Sequence, residues 1–228
     1  MKVAARRSLG IATGLVAGLA ALGVLIAPGC EQLHARGPMN TGHEQVECES
    51  CHRAAPGTLR QQLQSAARDW VGLDQGAVDV GYRRVDSKAC TTCHVRPDDR
   101  HPTYRFLEPR FAAARAALHP EQCESCHREH AGVRVTSVDT TFCRHCHREL
   151  TVKQDPIDVP HATLVSEQRW ETCLGCHDFH GNHTRTTPRR LEEAFPVETI
   201  RDYFGGGTSP YGAPTLRAST RTTEVQTL

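Results

Sequence analysis

Apolar residues are distributed unevenly along the 228-residue chain. An uncharged apolar run from Leu9 to Ala27 follows Lys2, Arg6 and Arg7. It is long for the apolar stretch of a secretory signal and just long enough to cross a bilayer. The positive end is expected to stay inside the cell, so that everything after the run is exported. Beyond it no apolar period is sustained. Helix-favouring residues cluster in GTLRQQLQSAARDWVGL (57–73) and in EPRFAAARAALH (108–119), where Pro109 suits a first turn, and a third, short helix is expected in PRRLEEAF, within a helical segment spanning 188–204. All three read as solvated helices bracing whatever forms the core. From Gly205 the chain is rich in Gly, Ser, Thr and Pro, which predicts a disordered tail over 205–228.

This pattern leaves little from which to build an interior, since only 5% of residues are aromatic and much of the apolar content sits in the first thirty. The cysteines change the picture. Ten of the eleven fall in five C-x-x-C-H motifs: Cys48, Cys51 and His52; Cys90, Cys93 and His94; Cys123, Cys126 and His127; Cys143, Cys146 and His147; Cys173, Cys176 and His177. This is the attachment signature of c-type haem. Two thiols form thioethers with the two vinyl groups, and the following histidine falls under the iron as proximal ligand. Zinc would use C-x-x-C pairs two at a time, leaving one of five over, and gives no reason for the recurring histidine. A disulfide framework also leaves the histidines unexplained, and two-residue loops are more typical of reactive redox pairs. Five covalently attached haems c would supply the missing apolar bulk, so the chain without them should be largely unfolded.

Counting two propionates on each haem turns the formal charge of +1 clearly negative. That argues against a nucleic-acid partner and for redox partner proteins with basic docking patches. The eleventh cysteine, Cys30, ends the sequence APGC, which resembles the lipobox of bacterial lipoproteins in Gly29 but departs from it at Pro28 and Ala27. A lipid on Cys30 and an uncleaved helical anchor are both open, with a cleaved signal peptide as a third possibility. Residues 1–30 are accordingly read as a signal or anchor segment and 31–187 as the haem-bearing domain.

Nine histidines lie outside the proximal positions. His130 follows the proximal His127 by three residues, too close to wrap round the same haem, so it should serve a neighbouring iron; His180 repeats the arrangement after His177. Over roughly residues 40–185 the chain resembles the class III and related multihaem cytochromes c, specifically in its five motifs and weakly in its linkers. In that family bis-histidine haems form a compact array, and distal histidines stand shortly before or after a C-x-x-C-H. The resemblance implies His43 and His161 as distal ligands upstream of a motif and His130 and His180 as downstream ones, with His101 as the fifth. His119 and His183 are alternatives. His34 reads as surface near the anchor, and His145 is trapped between two attachment cysteines. Besides Met1 only Met39 is available, so bis-histidine ligation and low potentials are expected.

The expected fold is therefore mostly irregular with short α-helices, a compact array around a cofactor-dominated core behind an N-terminal membrane segment. Irons with both axial positions filled can only change oxidation state, so the expected activity is electron relay on the periplasmic or cell-surface side of a membrane, with no small-molecule substrate. Two alternatives are a quinol dehydrogenase subunit feeding a periplasmic reductase, which needs an open first haem site, and a haem enzyme reducing nitrite-like substrates. The C-x-x-C-K that commonly marks the catalytic haem of multihaem nitrite reductases is absent; the lysines are Lys2, Lys88 and Lys153.

Overall fold

The structure is a computed structural model that describes residues 2–27, 30, 33, 35–73 and 79–219. Among these there is no β-strand, only two isolated antiparallel bridges, Ala54 to Tyr82 and His183 to Pro214. Helix α1 (Lys2–Ile26) contains the apolar run as far as Ile26. Its stretch Arg7–Val24 is long and apolar enough to cross a membrane, and among the described residues none of it is buried. Pro28, Gly29 and His34 lie outside the described residues, and with them part of the lipobox reading.

The remaining helices are short, as expected where few apolar side chains are available to hold long ones. Helix α2 (Leu59–Trp70) falls within the predicted 57–73 and starts at a capping box, in which the Thr58 hydroxyl accepts from Gln61 N and the Gln61 side chain accepts from Thr58 N. Only Gln62 is buried on it; its amide donates to Ala55 O and accepts from Gly81 N, closing the loop between the first two motifs. Helix α3 (Ser87–Thr91) is capped by the Asp86 carboxylate. A 3-10 turn at Pro109–Phe111 leads into α4 (Ala112–Leu118), which ends where His119 turns left-handed at φ 49°. Next come α5 (Arg144–His147), α6 (His161–Ser166), α7 (Cys173–Cys176) and α8 (Val197–Gly205).

Two expectations are corrected by the structure. The helix predicted in PRRLEEAF is a single 3-10 turn, Leu191–Glu193, and the true helix begins after Pro196. The ring of Pro196 disfavours helical geometry at Phe195 while suiting a helix start beyond it. The predicted tail is also ordered as far as 219. Tyr211 is buried and its hydroxyl donates to Leu174 O at 2.6 Å; Thr215 N donates to Asn182 O. Residues 220–228 lie outside the described set.

The apolar cluster sits at this end of the chain: Leu174, Ile200 and Tyr211, packed by Phe142, Phe179, Phe195, Tyr203 and Phe204. It joins α7 to α8. Arg134 fastens α8 from outside, its guanidinium donating to the carbonyls of Tyr203 and Gly207 while stacking 4.4 Å over the Tyr203 ring. A cation at these last carbonyls is favoured by the helix dipole as well.

Candidate functional site

Each C-x-x-C-H folds into the same turn. The histidine N–H donates to the carbonyl of the first cysteine in all five: His52 to Cys48 at 2.9 Å, His94 to Cys90 at 3.0 Å, His127 to Cys123 at 2.9 Å, His147 to Cys143 at 2.9 Å and His177 to Cys173 at 2.8 Å. A one-turn loop of this kind brings residues one, four and five together, which gathers two thiols and an imidazole at one place. No disulfide joins any of the eleven cysteines. The motifs are numbered sites 1 to 5 in chain order.

Every motif histidine faces a second histidine from elsewhere in the chain. His52 lies 6.2 Å from His130, His94 5.9 Å from His43, His147 6.1 Å from His101, His127 6.2 Å from His180 and His177 6.1 Å from His161, measured between ring centres. Two imidazoles bound to opposite sides of one metal at ordinary metal–nitrogen lengths have ring centres roughly 6.3 Å apart, since each nitrogen is about 2.0–2.1 Å from the metal. The separations fit an iron between each pair. Among the described residues no group of three or more His, Cys, Asp or Glu side chains is arranged to hold a metal ion, as a closed zinc site would require.

The five non-motif histidines are held by their far nitrogens. His43 Nδ1 meets Glu129 Oε2 at 2.7 Å, His161 Nδ1 meets Asp155 at 2.8 Å and His180 Nδ1 meets Asp99 Oδ2 at 3.0 Å. His101 Nδ1 donates to Phe179 O at 2.6 Å and His130 Nδ1 to Gly37 O at 3.3 Å. Carbonyls and ionised carboxylates accept only, so Nδ1 carries the proton and Nε2 presents its lone pair inward. Burial tends to raise Asp99, Glu129 and Asp155, but hydrogen bonds from His180, from Asn40 N and His43, and from His161 respectively outweigh it and hold all three below the usual carboxylate range. On the motif side, burial pushes His94, His127, His147 and His177 down, which keeps them neutral and able to ligate.

The ring planes differ. His101 and His147 are crossed at 88°, whereas the other pairs are inclined at 27°, 44°, 31° and 41°. Phe179 accounts for the exception: His101 stacks on it at 4.2 Å and cannot turn.

The leftover histidines have other surroundings. His119 is exposed and lies 3.5 Å from Glu121. His183 is nearly buried, with Nδ1 2.7 Å from Asp178 Oδ2 and its ring 5.5 Å from that of Tyr211. His145 sits inside the turn of site 4.

Sequence reasoning missed the supports. Glu129 beside His130, Asp99 two residues before His101 and Asp155 six before His161 stand in the sequence as acidic neighbours of histidines, a signal that could have drawn attention to them, although Glu129 and Asp99 hold the more distant His43 and His180. Asn40 gave none: it is buried, and its backbone N–H donates to Glu129 Oε1 while its side chain pairs with Arg128 O and Ala131 N, fixing the strap that carries both Glu129 and His130. Gly37 leaves room for that strap, since a Cβ there would collide with His130 O.

No family model matches the chain and no solved structure matches it. It is 26% identical over 164 residues, 65% of its length, to the High-molecular-weight cytochrome c of Nitratidesulfovibrio vulgaris. The chain spans 24% of that relative's length.

Proposed function

We propose that the protein is a multihaem c-type cytochrome carrying five covalently attached haems, each held between two histidines, and that it relays electrons between redox partner proteins. The observation that carries this reading is the coincidence of five attachment turns with five opposed histidine pairs, each at the separation a ligated metal needs. The similarity to a cytochrome c of higher molecular weight supports it. In this reading Cys48, Cys51, Cys90, Cys93, Cys123, Cys126, Cys143, Cys146, Cys173 and Cys176 form the thioethers. His52, His94, His127, His147 and His177 are proximal ligands, and His130, His43, His180, His101 and His161 are their distal partners, in site order. Haem supplies a one-electron couple, tuned through axial ligands, burial and hydrogen bonding.

The chain's own contribution is to fix ligand tautomers, exclude a sixth-position substrate and keep neighbouring sites close. Helix α1 or a lipid on Cys30 would tether the protein to the membrane, with the sites on the exported side. The quinol-oxidising alternative needs an open first site, and the nitrite-reducing one needs some vacant iron. The presence of His130 opposite His52, and of a partner at each other site, counts against both.

The test is a pyridine haemochrome assay beside a ferric spin-state census on the purified full-length protein. Five haems per chain, all low-spin and unchanged by cyanide or nitrite, is the expected result. A colourless product, zinc in place of iron, or a high-spin iron that responds to nitrite would overturn it.

A further inference from the structure

Four of the five distal imidazoles are held crosswise, each by the chain segment that carries another one. Residues 37–43 run against residues 127–132. His43 Nδ1 on the first segment donates to Glu129 Oε2 on the second at 2.7 Å, and His130 Nδ1 on the second donates back to Gly37 O on the first at 3.3 Å. Between these two bonds Asn40 fastens the segments to each other. Its N–H donates to Glu129 Oε1 at 2.7 Å, its side-chain amide donates to Arg128 O and its side-chain carbonyl accepts from Ala131 N, both at 3.0 Å.

Residues 99–101 and 178–181 repeat the arrangement. His180 Nδ1 donates to Asp99 Oδ2 at 3.0 Å, His101 Nδ1 donates back to Phe179 O at 2.6 Å, and Arg100 N donates to His180 O at 3.4 Å. Each crossing closes on a glycine with a left-handed backbone, where a Cβ would run into the opposing segment: Gly132, φ 70°, against Pro38, and Gly181, φ 70°, against the Arg100 side chain. The distal ligand of site 5 is held differently. Asp155, six residues before His161, accepts from both His161 Nδ1 and His161 N, so this imidazole is fixed within its own loop.

A ligating imidazole is aimed by the acceptor at its far nitrogen. In each crossing that acceptor belongs to the segment bearing the other ligand, so whatever parts the segments misdirects two rings at once. Resting on the pentahaem reading, we propose that distal ligation is cooperative in pairs, His130 of site 1 with His43 of site 2 and His180 of site 3 with His101 of site 4, while His161 of site 5 ligates independently. Asn40 and Asp99 are the positioning residues of the two pairs. The Asn40 side chain bonds to neither imidazole, yet it acts on both. Asp99 holds one imidazole directly and acts on the other through His101 N, which donates to its Oδ1 at 2.9 Å.

The test is a spin-state census with a haem count on the full-length ferric holoprotein, before and after adding cyanide. An iron that loses its distal imidazole turns high-spin and takes up cyanide. Asn40→Ala and Asp99→Ala should each open two irons, in equal proportion, and Asp155→Ala one. A single open iron in Asp99→Ala, none in Asn40→Ala, or two in Asp155→Ala would overturn the pairing while leaving the five-haem reading intact. A haem count below five in the unaltered protein would overturn both. Should an alanine variant mature poorly, Asn40→Ser and Asp99→Asn keep part of each hydrogen-bond set. Equal partial opening of two irons is then expected from each, and opening of one alone would overturn the pairing.

Discussion

Sites 1 and 5 share a motif and a turn, yet their surroundings have little in common. Around site 5 the chain makes its own interior: Leu174 and Cys176 are buried inside the motif itself, Tyr211 bonds to the Leu174 carbonyl, and Ile200 is wholly enclosed. A Cβ on Gly175 would meet Phe195 O, so α7 lies directly against the backbone that follows it. Around site 1 the protein contributes almost none of this. Cys48 is exposed, Ala55 and Gln62 are the buried residues of the segment 48–73, and Leu59, Leu63 and Trp70 of the neighbouring helix are 62%, 53% and 88% exposed. The two distal ligands differ in the same sense, His161 being gripped by both oxygens of Asp155 and His130 by one carbonyl at 3.3 Å. One end of the molecule is packed by protein; the other has almost no protein core and, in the proposed reading, would depend on haem for one.

The largest consequence concerns the chain without haem. Produced where haem attachment cannot occur, it should lose its tertiary structure, and hydrogen exchange should show no protection over 48–110, with whatever protection survives confined to 157–211. Uniform protection across both ends would break the contrast. Next in size is core truncation. Ile200→Ala should cost the holoprotein about 2–5 kcal/mol in denaturant unfolding, whereas Leu63→Ser, on an exposed face, should stay within about 0.5 kcal/mol.

How far these features were legible in the sequence follows the same division. Metal chemistry leaves fixed local spacings, so the five turns and all five histidines that now face a motif histidine could be chosen from residue order and family resemblance. Which pairs with which could not, because the partners lie far apart: His43 faces His94, and His101 faces His147. The protein-packed end was least legible. Tyr211 is one aromatic residue in a glycine- and serine-rich stretch, and its partner Leu174 is 37 residues away, so no local period announces the contact. The helix at Val197–Gly205 lies beyond the predicted PRRLEEAF because LEEAF carries stronger helix propensity than the residues that Pro196 actually starts.

A finer comparison separates the ligands by their supports. A carboxylate on Nδ1 makes an imidazole a stronger donor and stabilises ferric iron, so sites 2, 3 and 5 should titrate below sites 1 and 4 in a potentiometric titration. Glu129→Gln should raise the potential of site 2 alone. The crossed planes at site 4 sharpen this further, because perpendicular imidazoles leave two iron d orbitals nearly degenerate. His101→Met should therefore remove the most anisotropic ferric signal.

The smallest effect is in acid. Asp99, Glu129 and Asp155 are held below their ordinary values in the fold, so their contribution is complete above the unfolded carboxylate range of about 4. It is lost as pH falls through the lower folded values. Holoprotein stability should accordingly be flat near neutrality and decline below about pH 4, with Asp155→Asn removing part of the slope.

The central claim is that metal sits between each histidine pair, and anomalous diffraction at the iron absorption edge on crystals of the holoprotein tests it most directly. The account predicts five iron peaks, one midway between the imidazoles of each of the pairs 52/130, 94/43, 127/180, 147/101 and 177/161. Peaks beside other side chains, fewer than five, or scattering at the zinc edge in their place would contradict it.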